Sequence, residues 1–227
     1  MLIANDICKK YKHPVLAGVS CKISEGEIIG IAGENGSGKS TLLSILVTLL
    51  SPDKGTVTLD GIPLTPASLK TNIGYVPQEN ALFDHLTVQD NLRFWAAAYG
   101  AILDETVLLT KMFPRIQEAR KKKVAHLSGG MKKQLSIAIA CMNNPRFLIM
   151  DEPSAALDIG FKRTLLEIFE GVKAEGRSCI FTSHQPDELL WCDRIYVLRN
   201  GVFAYEGTPR ELEPDFSERL YDLCGMT

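Results

Sequence analysis

The stretch Ile28–Thr41, "IIGIAGENGSGKST", decides the architecture. It opens with an apolar run of strand length that ends in glycine. Gly33, Gly38, Lys39 and Ser40 then stand at the spacing of a P-loop, and a helical pattern, "KSTLLSILVTLL", follows. The chemistry explains the residue types. Glycines let backbone N–H groups wrap around phosphates, and the N-terminus of the following helix adds partial positive charge. Lys39 reaches the outer phosphates, and the Ser40 hydroxyl is a ligand suited to Mg²⁺. The bare pattern arises by chance in roughly one chain in a hundred of this length. A strand before it and a helix after it make chance rarer still, so nucleotide binding is the expectation. The candidate cofactor-binding loop comprises Gly33, Glu34, Asn35, Gly36, Ser37, Gly38, Lys39, Ser40 and Thr41.

Downstream, "RFLIMDEPSAALD" (Arg146–Asp158) is the natural companion of such a loop. A buried strand delivers Asp151 at its C-terminal end, where parallel sheets bind their ligands. A carboxylate there is a candidate for holding Mg²⁺ through water. Glu152, next in line, can orient and deprotonate an attacking water. His184 closes the following strand, in "FTSH", within reach of a terminal phosphate and that water. Lys39, Glu152 and His184 are therefore the candidate catalytic residues, and ATP hydrolysis is the leading chemistry. A second phosphate-like device, "LSGGMKKQLS" (Leu127–Ser136), has a serine in N-cap position, two glycines and a helix with basic residues. Yet no strand pattern leads into it and no Gly-Lys-Ser follows.

The flanking sequence sets these motifs in an α/β layer. "GVSCKI", "GTVTLDGIPL" and "NIGYVPQ" read as strands, the second folded on Asp-Gly and the third stopped by Pro77. From about Leu86 to Ala140 the pattern turns helical. Thr87 is a candidate N-cap and Gly100 a stop, and a second helical pattern runs through Leu135, Ala138, Ile139 and Met142. Strands then alternate with the amphipathic "GFKRTLLEIFEGVKAEG", which implies parallel pairing, and "DRIYVLRNGVFAYEG" reads as a hairpin on Asn-Gly.

Composition narrows the class. The 227 residues suit one domain with an inserted subdomain, and 45% hydrophobic content supports a real core. A net charge of −2 argues against nucleic acid as the main partner, and the basic run "ARKKK" (Ala119–Lys123) reads as a solvated face. The six cysteines show no metal-ligand spacing, and several sit in apolar surroundings, so free buried thiols in a reducing compartment are expected. No apolar run approaches transmembrane length, and no basic-then-apolar segment opens the chain. The expectation is a soluble cytoplasmic chain that meets a membrane only through a partner.

Taken together, these residues resemble the nucleotide-binding subunit of an ATP-binding cassette (ABC) transporter, across nearly the whole chain and in the family's order. "GENGSGKST" resembles Walker A, and "GYVPQE" offers Gln78 as the Q-loop glutamine. "LSGGM" resembles the signature, "FLIMDEP" Walker B, "SAALD" the D-loop with Asp158, and "TSH" the switch histidine. The resemblance implies an α/β fold: a P-loop NTPase core of the ABC-ATPase type, with a mixed sheet and an antiparallel β subdomain. An α-helical subdomain is inserted at about residues 80–145 of a single 1–227 domain. It further implies that two cassettes pack head to tail, so that Ser128, Gly129 and Gly130 of one close over the γ-phosphate held by Lys39 of the other. By the same resemblance Gln78 joins Ser40 and Asp151 around Mg²⁺, Asp158 faces the shared nucleotide, and Tyr11 in "CKKYK" stacks on adenine. The implied partners are a second cassette and a separate integral-membrane permease, with the chain peripheral at the inner face of the membrane. Met131 stands where many members have glutamine. "SGGM" followed by basic residues resembles the exporter branch whose permease is a separate chain. A soluble ABC-type ATPase acting on nucleic acid or the ribosome would need a second cassette or a long coiled coil. A small-molecule kinase would leave "LSGGM" and "SAALD" unexplained.

Overall fold

The computed structural model describes residues 1–101, 113–155, 157 and 159–225. Two sheets carry the strands. An antiparallel sheet of four pairs β1 (Leu2–Lys10) with β2 (Pro14–Ile23) on one side and with β4 (Lys54–Leu59) on the other, and β5 (Ile62–Pro63) adds to β4. The second sheet has six strands. β3 (Ile28–Ala32) lies between β8 (Ser178–Thr182) and β9 (Arg194–Arg199), β7 (Phe147–Met150) follows β8, and β6 (Ile73–Val76) forms one edge. These five are parallel, and β10 (Val202–Gly207) pairs antiparallel with β9 at the other edge.

Period-two alternation divides the core between the two faces of this sheet. Ile29, Ile31, Phe147, Ile149, Ile180, Tyr196 and Leu198 point to one face. There they meet helix α1 (Lys39–Leu46) through Leu42, Leu43, Ile45 and Leu46, and the apolar side of the antiparallel sheet. Ile28, Ala32, Leu148, Met150, Cys179, Phe181, Ile195 and Val197 point the other way. Burial on both faces is why β3, β7 and β8 read as continuous apolar runs rather than alternating ones.

The turns follow the expected chemistry. Asp60 and Gly61 have φ of 52° and 81°, and Asn200 and Gly201 have 51° and 77°, the two left-handed residues that a tight hairpin needs. Helix α1 is shorter than its sequence pattern. It stops at Leu46, where the amides of Leu49 and Leu50 both turn back to the Ser44 carbonyl and Thr48 adopts a φ of 52°.

After helix α2 (Pro66–Asn72) and β6, the described chain is helical until β7. Helix α3 (Val88–Tyr99) is capped by the Thr87 hydroxyl, which accepts from the Asp90 amide at 3.1 Å, and ends on Gly100 at φ 67°. Helix α4 (Pro114–Glu118) starts on proline. In helix α5 (Gly129–Ala140), Ser128 is the N-cap and accepts from the Met131 amide at 3.3 Å. The helix ends two residues before Met142, which packs on the core from the turn beyond. Helix α6 (Ile159–Ala174) covers the outer face, followed by α7 (Pro186–Leu189) and α8 (Phe216–Cys224). Lys121, Lys122 and Lys123 are exposed, as a solvated basic run should be. All six cysteines are free; Cys8 is half-buried and the others buried. Among the described residues, no helix is long and apolar enough to cross a membrane.

Candidate functional site

Because β3, β6, β7 and β8 run parallel, their C-terminal ends share one edge of the sheet. Each hands a polar residue to that edge: β3 the glycine loop, β6 Gln78, β7 Asp151 and Glu152, β8 His184. The loop needs glycine at two points. At Gly33, with φ 151°, a Cβ would lie 2.4 Å from the Leu198 carbonyl oxygen. At Gly38, with φ 108°, it would crowd Leu16 and the Val15 carbonyl at 3.0 Å. Gly38 also opens α1 without a side-chain cap, leaving first-turn amides directed at the loop. Lys39 is 5% exposed, and its Nζ donates to the carbonyls of Gly33 at 2.8 Å and Glu34 at 3.0 Å. Burial pushes this ammonium below its usual range, opposed by the carboxylates of Glu152 and Asp151.

The Asp151 carboxylate and the Glu152 backbone are held by a hydroxyl that sequence reasoning missed. Thr182 Oγ1 donates to Asp151 Oδ1 at 2.7 Å and accepts from the Glu152 amide at 2.8 Å. Asp151 is 4% exposed, and Glu152 has a φ of 42°, a left-handed conformation that is strained for glutamate. The Glu152 side chain meets Gln78 Nε2 at 3.2 Å through Oε2. His184 Nδ1 lies 3.9 Å from its Oε1. Asn35, Gly36, Gly38, Lys39, Ser40, Gln78 and Glu152 line one cleft of about 360 Å³. A second hollow of about 570 Å³ shares Asn35 and Gly36 but is walled by Val15, Arg199 and Gly225.

The donor set suits Mg²⁺. Ser40 contributes an exposed hydroxyl, and Asp151 a carboxylate with one oxygen occupied by Thr182. Among the described residues no group of three or more histidine, cysteine or acidic side chains could cage an ion by itself.

Other expected site residues stand apart. Ser128 and Gly129 are exposed at the start of α5 and do not line the cleft. Tyr11 is 59% exposed at the turn between β1 and β2. Asp158 lies outside the described residues.

Two further supports appear only in three dimensions. Glu188, fully buried on α7, accepts from Ser154 Oγ at 2.8 Å and Ser183 Oγ at 2.7 Å, and pairs with Lys162 at 3.2 Å. It thereby ties the loop after Glu152 to the loop that carries His184. Asn91, also fully buried, accepts from the Phe83 amide and donates to the carbonyls of Phe83 and Thr87. It anchors the segment after Gln78 to α3. Phe83 and Phe94 remain 41% and 47% exposed there, their rings 4.6 Å apart, with Trp95 and Tyr99 stacked behind. The only hints in sequence were a threonine at a strand end and acids and amides inside helical patterns.

Residues 16–155 match the profile of the family described as ABC transporter. Linearmycin resistance ATP-binding protein LnrL of Bacillus subtilis (strain 168) is 36% identical over 93% of this chain and 70% of its own length. Nod factor export ATP-binding protein I of Rhizobium etli is 34% identical over 92% of this chain and 68% of its own. Among solved structures, an ATP-binding subunit of an ABC transporter superimposes with a TM-score of 0.85. It is 28% identical and covers 98% of this chain and 99% of that one. A dimeric ATP-binding cassette in a post-hydrolysis state, bound to ADP and Pi, gives 0.79 at 27% identity, covering 92% and 98%.

Proposed function

The chain belongs to the ABC transporter family as an ATP-binding cassette, and from that premise we propose a Mg²⁺-dependent ATPase that drives a separate membrane permease. The observation that carries the reading is the meeting of Lys39, Gln78, Asp151, Glu152 and His184 on one sheet edge beside the glycine loop. The loop from Gly33 to Thr41 holds the phosphates through its amides, and Lys39 moves from its two carbonyl partners to the outer phosphates. Ser40, Asp151 and Gln78 would hold Mg²⁺, which when bound neutralises charge on the β- and γ-phosphate oxygens. Glu152 accepts a proton from the attacking water while Gln78 orients it. His184 supports the γ-phosphate from the next strand, and Tyr11, exposed at the turn between β1 and β2, stacks on adenine.

Ser128, Gly129 and Gly130 do not serve the nucleotide of their own chain. They close over the γ-phosphate of a second cassette, joined by Asp158, and ATP biases the open and closed states. The exposed Phe83, on the segment after Gln78 and tied to Asn91 through its backbone, and Phe94, whose ring meets it, form the permease-facing surface and hold the chain at the inner face of the membrane. Export is the favoured direction: "SGGM" followed by lysines supports it, and so does the name of the Nod factor export relative. Nothing in the near-neutral charge calls for nucleic acid.

Light scattering of the Glu152→Gln protein with ATP tests this. A dimer is expected, with hydrolysis slowed about 10²–10⁴-fold, and Ser128→Arg in the same background is expected to remain monomeric while still binding ATP. A stable dimer of the double variant would refute the trans assignment, and wild-type turnover by Glu152→Gln would remove the base.

A further inference from the structure

Lys133 is a lysine that is 4% exposed, an uncommon fate for that side chain. It sits in the first turns of α5, three residues after Gly130. Its Nζ donates to the carbonyl oxygens of Pro77 at 3.1 Å and Gln78 at 2.9 Å. Both carbonyls belong to the stem that carries Gln78 out of β6. Gln78 Nε2 in turn reaches Glu152 Oε2 at 3.2 Å. The neighbouring Lys132 makes a second tie to the same segment, pairing with Asp84 at 2.8 Å. Burial pushes the Lys133 ammonium below its usual range, opposed by the Asp151 carboxylate.

We propose that Lys133 is a positioning residue for hydrolysis: it makes the seating of the Ser128–Gly130 helix a condition for Gln78 to reach Glu152. The inference rests on the ATPase reading above. The turn that meets the partner's nucleotide and the loop that orients this chain's base are joined by one side chain, with two hydrogen bonds from a cation to neutral carbonyls. A shift of α5 therefore drags the Gln78 stem, and the two half-sites of one chain move together. Contiguity alone does not establish coupling; non-additivity between Lys133 and Gln78 does.

The test compares wild type, Lys133→Met, Lys133→Gln, Lys133→Arg, Gln78→Ala and the Lys133→Met/Gln78→Ala double variant in steady-state ATP hydrolysis and equilibrium ATP binding. Methionine keeps the stem and loses every donor. Lys133→Met is expected to lower kcat about 10–100-fold and to leave the ATP Kd of the monomer within about twofold, since Lys39 and the glycine loop stand on other elements. Lys133→Arg, which keeps charge and donors, is expected to recover most of the rate. The double variant is expected to be no slower than the slower single variant. A Lys133→Met kcat equal to wild type, or losses that multiply in the double variant, overturns the inference. Lys133→Gln keeps an uncharged NH₂ donor group on a shorter stem and should fall between the extremes; it carries the test if Lys133→Met does not fold, and a wild-type kcat there overturns the inference equally. Glu152→Gln is the control that separates the two levels. If wild-type hydrolysis is indifferent to Glu152→Gln, the ATPase reading itself falls; if it is abolished while Lys133→Met matches wild type, only the present inference does.

Discussion

Thr182→Val removes one oxygen and keeps the shape of a fully buried side chain, so its consequences can be worked from geometry. In the native structure that hydroxyl donates to the Asp151 carboxylate at 2.7 Å and accepts from the Glu152 amide at 2.8 Å. A hydrogen bond to a charged group contributes about 1.5–3 kcal/mol, and a buried donor left without an acceptor costs about 1–3 kcal/mol. Partial relaxation puts the net loss of stability at about 2–4 kcal/mol. Function should suffer separately. The amide that loses its acceptor belongs to Glu152, whose φ of 42° is strained and persists only while its surroundings over-determine it. Released, the residue relaxes toward ordinary backbone angles and carries its carboxylate away from Gln78. We expect kcat to fall about 10–100-fold, equivalent to about 1.4–2.7 kcal/mol of transition-state stabilisation, with ATP affinity nearly unchanged. Urea denaturation gives the first quantity, and steady-state hydrolysis with a binding isotherm gives the second. Thr182→Ser should restore both. Thr182→Val hydrolysing within about twofold of wild type, with an unshifted urea midpoint, would refute the view that this hydroxyl holds the base.

Two further predictions concern stability. Glu188→Ala strands the hydroxyls of Ser154 and Ser183 while Lys162 keeps Asp187, so a loss of about 2–3 kcal/mol is expected in urea denaturation; an unchanged midpoint would rule out the clamp. Burial pushes the Cys21 thiol up to about 12, Cys141 up to about 11 and the Tyr75 phenol up to about 12. Groups with raised folded values contribute stability that is intact below their unfolded pKa and lost as pH rises through the folded one. The urea midpoint should therefore hold to about pH 8 and then fall, each group contributing up to about 1.4 kcal/mol per pH unit. A midpoint that is flat or rising from pH 8 to 11 would contradict the burial of these groups.

Local chemistry was the legible part of this molecule. The loop from Gly33 to Ser40, the caps Thr87 and Ser128, the stop at Gly100 and the hairpins on Asp60-Gly61 and Asn200-Gly201 are each encoded within a few residues. The parallel character of the large sheet also followed from strand–helix alternation. Its strand order did not, because β3 pairs with β8 and β9, and nothing near Ile28–Ala32 names partners so far along the chain. Helix length misled at α1. The run "LLSILVTLL" keeps its apolar pattern past Leu46, but the chain reverses at Thr48 on amides that return to Ser44.

The supports of the site were illegible for a different reason. On the proposed reading, Lys39, Asp151 and Glu152 sit in motifs because their partner is a nucleotide, whose shape dictates spacing. Thr182, Lys133 and Glu188 have protein partners instead, at separations of 31 residues from Asp151, 55 from Gln78 and 34 from Ser154. A polar residue inside an apolar pattern is ambiguous on its own. It becomes interpretable only when the fold reveals which buried oxygen or amide it satisfies. Thr182 and Lys133 each bond directly to a candidate site residue, and Glu188 clamps the loop after Glu152 to the loop that carries His184. The buried polar side chains near the sheet edge are therefore better read as the mounting of the catalytic groups than as isolated stabilising contacts. The Thr182, Glu188 and Lys133 substitutions measure that distinction, since a mounting lowers kcat out of proportion to ATP affinity and a plain structural contact moves the urea midpoint alone.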